Sequence, residues 1–277
     1  MLSINLLRRK WLGVFAGLAL FAAGTVWAQV DTMASIKQKG KIVVGVKADY
    51  KPFGFLDPSG KIIGMEPDLA QDVANKLGVK LELVPVLSSN RMEFLNQGRV
   101  DLMIATMSEN AQRRQAVGVI EPLYYAGGSS ILTRKSNGFK KWSDLRGRRV
   151  CATQGAYYNR LITERYGVEI VAFAGVPEAQ NSLLINDCIA FLQDSTLHAA
   201  ALSSGDPRWA DFESPLPTED EVAWAIAVLS ADRDRPFGKF MSEMVVGWHK
   251  SGRIVALEKK WGLLPSPFVQ QMQEKYK

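Results

Sequence analysis

The stretch KLELVPVLSSNRMEFLNQGRVDLMIAT, residues 80–106, reads as strand, helix, strand. KLELVPV (80–86) is a short run rich in branched apolar residues. RMEFLNQG (91–98) ends on Gly98, where a helix C-cap belongs, and VDLMIAT (100–106), with its apolar run after Asp101, is another strand. Two strands joined by a helix pair in parallel. The pattern extends toward the N-terminus. GKIVVGV (40–46) is a strand bounded by glycine, and Asp57-Pro-Ser-Gly60 is a turn. MEPDLAQDVANKLG (65–78) is a helix with Pro67 in its first turn, Leu69, Val73 and Leu77 on one face and Gly78 at its C-cap. Residues 40–106 therefore form a βαβαβ unit.

The second half repeats this rhythm. RRVCAT (148–153), VEIVAFA (168–174) and CIAFLQ (188–193) read as strands, with helices predicted from Ala156 to about Tyr166 and over 176–186. Extended segments, PLYYAGGSSILTR (122–134) and AWAIAVL (223–229), link the units. Phe240, Met244 and Trp248 then recur at helical spacing, and a last helix runs to Trp261. The architecture expected is α/β, with two parallel-sheet lobes joined by two hinge strands at about 124–130 and 222–228. Lobe one takes residues 29–125 plus 226–277, and lobe two takes 130–221. Such a shape places a cleft between lobes at the carboxyl ends of the strands.

The first 28 residues stand apart. Arg8, Arg9 and Lys10 precede the apolar run WLGVFAGLALFAAGTV, and Val26-Trp27-Ala28 is a small-x-small pattern, the design of a cleaved signal peptide. An uncleaved anchor is the competing reading. Without this segment the net charge falls from +6 to +3, and with no basic run remaining nucleic acid is not an expected partner. Export puts Cys151 and Cys188 in an oxidising compartment, where one disulfide is the natural pairing and two buried thiols the alternative. His198 and His249 lack Cys or acid companions at ligand spacing, so no metal is expected, and both read as surface residues.

The residues able to carry chemistry fall where strands end. They are Lys47, Asp49 and Tyr50; Ser89, Asn90 and Arg91; Thr106, Ser108 and Arg113; Gly155, Ala156 and Tyr157; and Asp194. Arg113 poses a problem by itself. A helix starting near Asn110 places it in the first turn, where the macrodipole disfavours a cation. A ligand carboxylate in the cleft would offset that cost, since the guanidinium fork fits a carboxylate bidentately. Arg114, one position around the helix, faces water. A helix start at 155–157 offers backbone N–H groups to the same anion, and Asp194 offers an acceptor for an ammonium. Each residue has a plainer alternative: Tyr50 and Phe53 as core aromatics, Gly155 as a turn residue, Asp194 as an N-cap. The catalytic signatures G-x-S-x-G and H-E-x-x-H, a Walker A loop and G-x-G-x-x-G after a strand are missing from the sequence.

The stretches VGVKADYKPFGFLDPSGKIIGMEPDLA, NQGRVDLMIATMSENAQRR, PLYYAGG, DLRGRRVCATQG and IAFLQD, in this order, resemble the periplasmic polar-amino-acid-binding proteins of ABC transporters, the family 3 extracellular solute-binding proteins. The resemblance spans about residues 40–264. It implies a bilobal periplasmic-binding-protein fold, a membrane permease as partner, a monomer and no cofactor. It places the carboxylate clamp on Arg113 with the partner hydroxyl on Ser108, and Thr106 offers a second hydroxyl at the same strand end. Backbone donors fall on Gly155, Ala156 and Tyr157, the ammonium acceptor on Asp194 and the aromatic wall on Tyr50. Members with cysteines at positions like 151 and 188 support the disulfide. The chain departs from the pattern at Ala156 and Tyr157, where Ser or Thr is usual. Lys47 and the Asn90-Arg91 pair resemble the glutamate/aspartate branch, in which a basic residue after the first strand reads a side-chain carboxylate. An acidic ligand is therefore expected over a neutral one such as glutamine or cystine. The competing class is an enzyme on the same scaffold, resembling cyclohexadienyl or arogenate dehydratases, with Glu109 as the candidate acid.

Overall fold

The computed structural model describes residues 31–277, and the segment read as a signal peptide lies outside the described residues. None of the helices described is long and apolar enough to cross a membrane. Helix α1 (Thr32–Lys39) leads into β1 (Lys41–Val46), followed by β2 (Asp49–Tyr50), β3 (Gly54–Leu56) and β4 (Ile62–Ile63). Then come α2 (Met65–Leu77), β5 (Lys80–Pro85), α3 (Arg91–Asn96), β6 (Leu102–Ser108), α4 (Ala111–Ala116) and β7 (Gly118–Val119). Strand β8 (Tyr125–Arg134) precedes β9 (Arg149–Thr153), α5 (Tyr158–Tyr166), β10 (Glu169–Phe173), α6 (Val176–Leu184), β11 (Ala190–Asp194) and α7 (Ser195–Ser203). Strands β12 (Phe212–Glu213) and β13 (Glu219–Val228) and helices α8 (Pro236–Ser251), α9 (Arg253–Trp261) and α10 (Pro267–Tyr276) complete the chain.

The main sheet runs β10-β9-β11-β8-β13-β6-β1-β5. At one end β1 pairs in parallel with β5 and β6, and at the other β9 pairs in parallel with β10 and β11. Between them β8 and β13 are antiparallel to each other and to their neighbours. This is the bilobal α/β arrangement read from the sequence: two parallel trios bridged by one long antiparallel pair. The chain crosses out along β8 and back along β13, and the C-terminal helices return to the first half, α8 against α1 and α9 against α2.

Burial explains each element. All seven residues of β6 are buried, as a central parallel strand requires. Helix α2 buries Met65, Leu69, Ala70, Val73 and Ala74, and Gly78 closes it in the left-handed conformation. An aromatic cluster seats the crossover: Phe53 meets Trp224 at 4.9 Å and Tyr125 at 5.2 Å between centroids. A Cβ on Gly127 would lie 2.8 Å from the Trp224 ring, so β8 needs glycine there. The predicted disulfide is present, joining Cys151 in β9 to Cys188 ahead of β11.

Several expectations are corrected. The 57–60 turn is present, but the short strands around it, β2-β3-β4, form a small antiparallel sheet that the sequence reading missed. Helix α5 starts at Tyr158, not Ala156. In α8 the buried stripe is Phe237, Met241, Val245 and Trp248, whereas Phe240 and Met244 are only partly covered. His198 and His249 are not surface residues: both are buried, His198 against Phe191 and His249 with a ring nitrogen 2.9 Å from the Leu123 carbonyl. Burial pushes the His198 imidazole down to about 3, so it is a neutral core residue.

Candidate functional site

Arg113 sits in α4, a helix of six residues capped by the Asn110 side chain, which accepts the Arg113 N–H at 2.9 Å. The short helix turns the guanidinium toward the other half of the molecule. It donates to the Ser108 carbonyl at 2.7 Å and, across the cleft, to the Gly155 carbonyl at 2.9 Å. Burial lowers its proton affinity, and Tyr158 and Asp194 oppose that shift. Arg114 projects outward, ion-paired with Glu109 and Glu121.

Asp194 ends β11, where α7 begins. Its side chain does not cap that helix. Oδ2 accepts a 2.5 Å hydrogen bond from the Tyr50 hydroxyl, and the buried Oδ1 has no partner. Burial pushes the Asp194 carboxyl up to about 6, while Tyr50, Arg91 and Arg113 hold it from rising further. Tyr50 remains a phenol, its proton retained by burial and by the Asp194 charge. A buried carboxylate oxygen without a donor is an exception among native structures, and a cationic ligand group would satisfy it.

Eight of the sequence-predicted residues line one small cavity: Tyr50, Arg91, Thr106, Ser108, Arg113, Ala156, Tyr157 and Asp194. Gly155 reaches the site through its carbonyl on Arg113. The Ala156 N–H bonds back to Thr153 at 3.4 Å within its own turn. Lys47 stands behind the lining, its Nζ 2.9 Å from Asp49, and Asp49 in turn accepts the Val176 N–H at the start of α6. Burial lowers the Lys47 proton affinity and Asp49 opposes it. Ser88, Tyr158 and Gln193 complete the lining and were not singled out from sequence. Gln193 had a readable signal, as the neighbour of Asp194 on a strand ending at the cleft. The candidate acid Glu109 lies outside the lining, beside Arg114.

The two halves touch directly. Gly155 has φ +78°, and a Cβ there would fall 2.7 Å from the Ser88 and Ser89 backbone, so only glycine permits the approach. The cavity measures about 10 Å³, space for about one water. Entry of an amino acid therefore requires the halves to part. Among the described residues no group of His, Cys, Asp and Glu side chains is arranged to hold a metal.

Beneath the lining lies a residue that sequence reading passed over. Glu66, in the first turn of α2, is fully buried and accepts the Thr106 N–H at 2.6 Å and the Tyr124 hydroxyl at 2.5 Å. Burial pushes its carboxyl up to about 7, against the hydrogen bonds and the charges of Lys47 and Arg91. Nothing in the sequence separates it from an ordinary acid at a helix start.

Comparison with known proteins places the chain by sequence and by fold. Residues 42–263 match the model of the bacterial extracellular solute-binding proteins, family 3. A glutamate/aspartate import solute-binding protein of Salmonella typhimurium is 25% identical over 270 residues, covering 92% of this chain and 87% of the relative. A glutamine-binding protein of Geobacillus stearothermophilus is 31% identical over 198 residues, covering 69% and 75%. Among solved structures, an ancestral amino acid-binding protein described as a precursor of cyclohexadienyl dehydratase superposes with a TM-score of 0.74 at 25% identity, covering 83% of this chain and 99% of that one. The chain belongs to the bacterial extracellular solute-binding proteins, family 3.

Proposed function

We propose that this protein is the periplasmic substrate-binding component of an amino-acid ABC transporter, and that it holds an acidic L-amino acid between its lobes. The observation that carries this reading is the convergence of Arg113 and Asp194, from opposite halves, on one cavity in which Asp194 Oδ1 has no partner. Arg113 clamps the α-carboxylate, beside Ser108. Asp194 takes the ammonium, and Tyr50 covers the aliphatic part. Arg91, buried in the same lining with its Nε unpartnered, receives the side-chain carboxylate. The lobes pivot on β8 and β13, and the closed form is what the permease recognises, hinge closure being the usual device of such proteins. Binding, not turnover, is the activity. The glutamate/aspartate relative supports the ligand class. One observation favours a neutral ligand instead: Lys47, the basic residue that would read a side-chain carboxylate, is already paired with Asp49.

A thermal-shift screen with glutamate, aspartate, glutamine, cystine and arginine tests this. A ligand at about a hundredfold excess over Kd adds about 2.7 kcal/mol, and glutamate or aspartate is expected to give the largest shift. A larger shift with glutamine assigns the neutral reading, and no shift with any of them overturns both. Arg113→Ala should abolish the shift while the unliganded protein melts close to the parent.

A further inference from the structure

Thr106 has φ +46°. Among the described residues the other non-glycine positions at positive φ are Asn186 and Asp220, residue types that tolerate the left-handed region. A β-branched residue does not, and this one lines the binding cavity. Its position in the sheet shows what is happening. Between the pairs Ala227–Met103 and Ala225–Met107, β6 has three residues where β13 has one. β6 therefore bulges at 104–106, and a bulge leaves backbone groups without a ladder partner. Both groups of the Ala105–Thr106 peptide unit are taken up by side chains. The Ala105 carbonyl accepts from the Arg91 guanidinium, and the Thr106 N–H donates to Glu66 at 2.6 Å. Tyr124 steadies the same Glu66 oxygen at 2.5 Å.

We propose that Glu66 is a positioning residue of the binding site: its buried carboxylate, opposite Arg91, clamps the Ala105–Thr106 peptide and so holds Thr106 in the left-handed conformation that presents it to the ligand. Glu66 does not line the cavity, so its hold on the site passes through its neighbours, and its hydrogen bond to the lining is the one to Thr106. The inference rests on the amino-acid-binding reading for its effect on affinity, but the clamp itself has a readout that needs no ligand. Strain held by neighbouring groups at a binding site is a recognised form of preorganisation.

The test is a double-mutant cycle. Glu66→Ala should weaken binding of the ligand found by the screen about tenfold or more, the cost of one charge-assisted hydrogen bond. Thr106→Gly removes the strain, because glycine takes positive φ freely. In the Thr106→Gly background Glu66→Ala should therefore cost much less. Equal costs in both backgrounds overturn the proposal. Hydrogen exchange at the Thr106 amide is measured in parallel on the unliganded parent and on Glu66→Leu, which fills the buried space without an acceptor should the alanine variant fail to fold. A protected amide in the parent that exchanges faster in Glu66→Leu supports the clamp, and an unchanged rate overturns it. If the parent binds no amino acid, the functional reading fails, and the exchange measurement still decides the clamp.

Discussion

The Tyr50 hydroxyl donates a 2.5 Å hydrogen bond to Asp194, and the two residues come from opposite halves of the molecule. The bond favours the ionised carboxylate, the form that pairs with a ligand ammonium. Burial works the other way and has already pushed this carboxyl up to about 6. Tyr50→Phe removes the opposing contribution, so the Asp194 carboxyl should rise further. Affinity measured by calorimetry should then fall only a few-fold near pH 8 but about tenfold near pH 6, where the protonated fraction grows. A pH-independent ratio of the two affinities would show that Tyr50 acts by packing alone.

Gly155 allows the halves to meet, through φ +78° and its contact with Ser88 and Ser89. In Gly155→Ala the left-handed conformation alone costs about 1–3 kcal/mol, and the methyl group meets backbone that has no soft side chain to yield. Closure is what suffers. Affinity should drop at least about tenfold, and small-angle scattering with saturating ligand should keep the larger radius of the open form. Thermal unfolding of the unliganded variant reports whether the cost is confined to closure. A ligand-induced contraction equal to the parent's would refute this account.

The parts of the fold legible from sequence were those with a local physical signature. β1 and β6 are mostly apolar runs because strands inside the sheet are covered on both faces, and α2 announces itself by Leu69, Val73 and Gly78. β2, β3 and β4 have two or three residues each, too few to show a period. Arg113 was legible through its conflict with the dipole, and Asp194 through its position at a strand end. Glu66 was not, because a buried acid and a solvated one look alike at a helix start; only its contacts with Thr106 and Tyr124 separate them. His198 failed in the same way, since nothing in STLHAAALS marks which face of α7 meets β8.

The disulfide closes a loop across 37 residues, from β9 to the residues just ahead of β11. In the chain-entropy account this constrains the unfolded chain by about 4 kcal/mol. Neither cysteine lines the binding cavity. Replacing both by serine should therefore lower the urea midpoint markedly and leave ligand affinity within about twofold. A large loss of affinity with intact folding would mean that the bridge also sets the geometry of β11 and Asp194.

Glu66 and Asp194 make stability and pH run opposite to the usual carboxylate pattern. Both carry a folded-state pKa above the unfolded value, Glu66 at about 7 and Asp194 at about 6. Between the two values the native state keeps a proton that the unfolded chain has released. Stability is then fully present below the unfolded pKa and declines as pH rises through the folded one. His198, held neutral by burial, has the opposite sign and loses stability as pH falls toward 3, so the total curve mixes both. The contribution of Glu66, which faces Lys47, Arg91 and Tyr124, is isolated by Glu66→Gln, since His198 and Asp194 are common to both proteins. Relative to the parent, this variant should gain stability steadily as pH rises from about 4.5 to about 7, by an amount on the order of 3 kcal/mol or less, and then level off. Urea titrations at a series of pH values measure that difference. A flat difference would mean that Glu66 ionises as an ordinary surface acid does, and the hydrogen bonds from Thr106 and Tyr124 would then have to outweigh its burial.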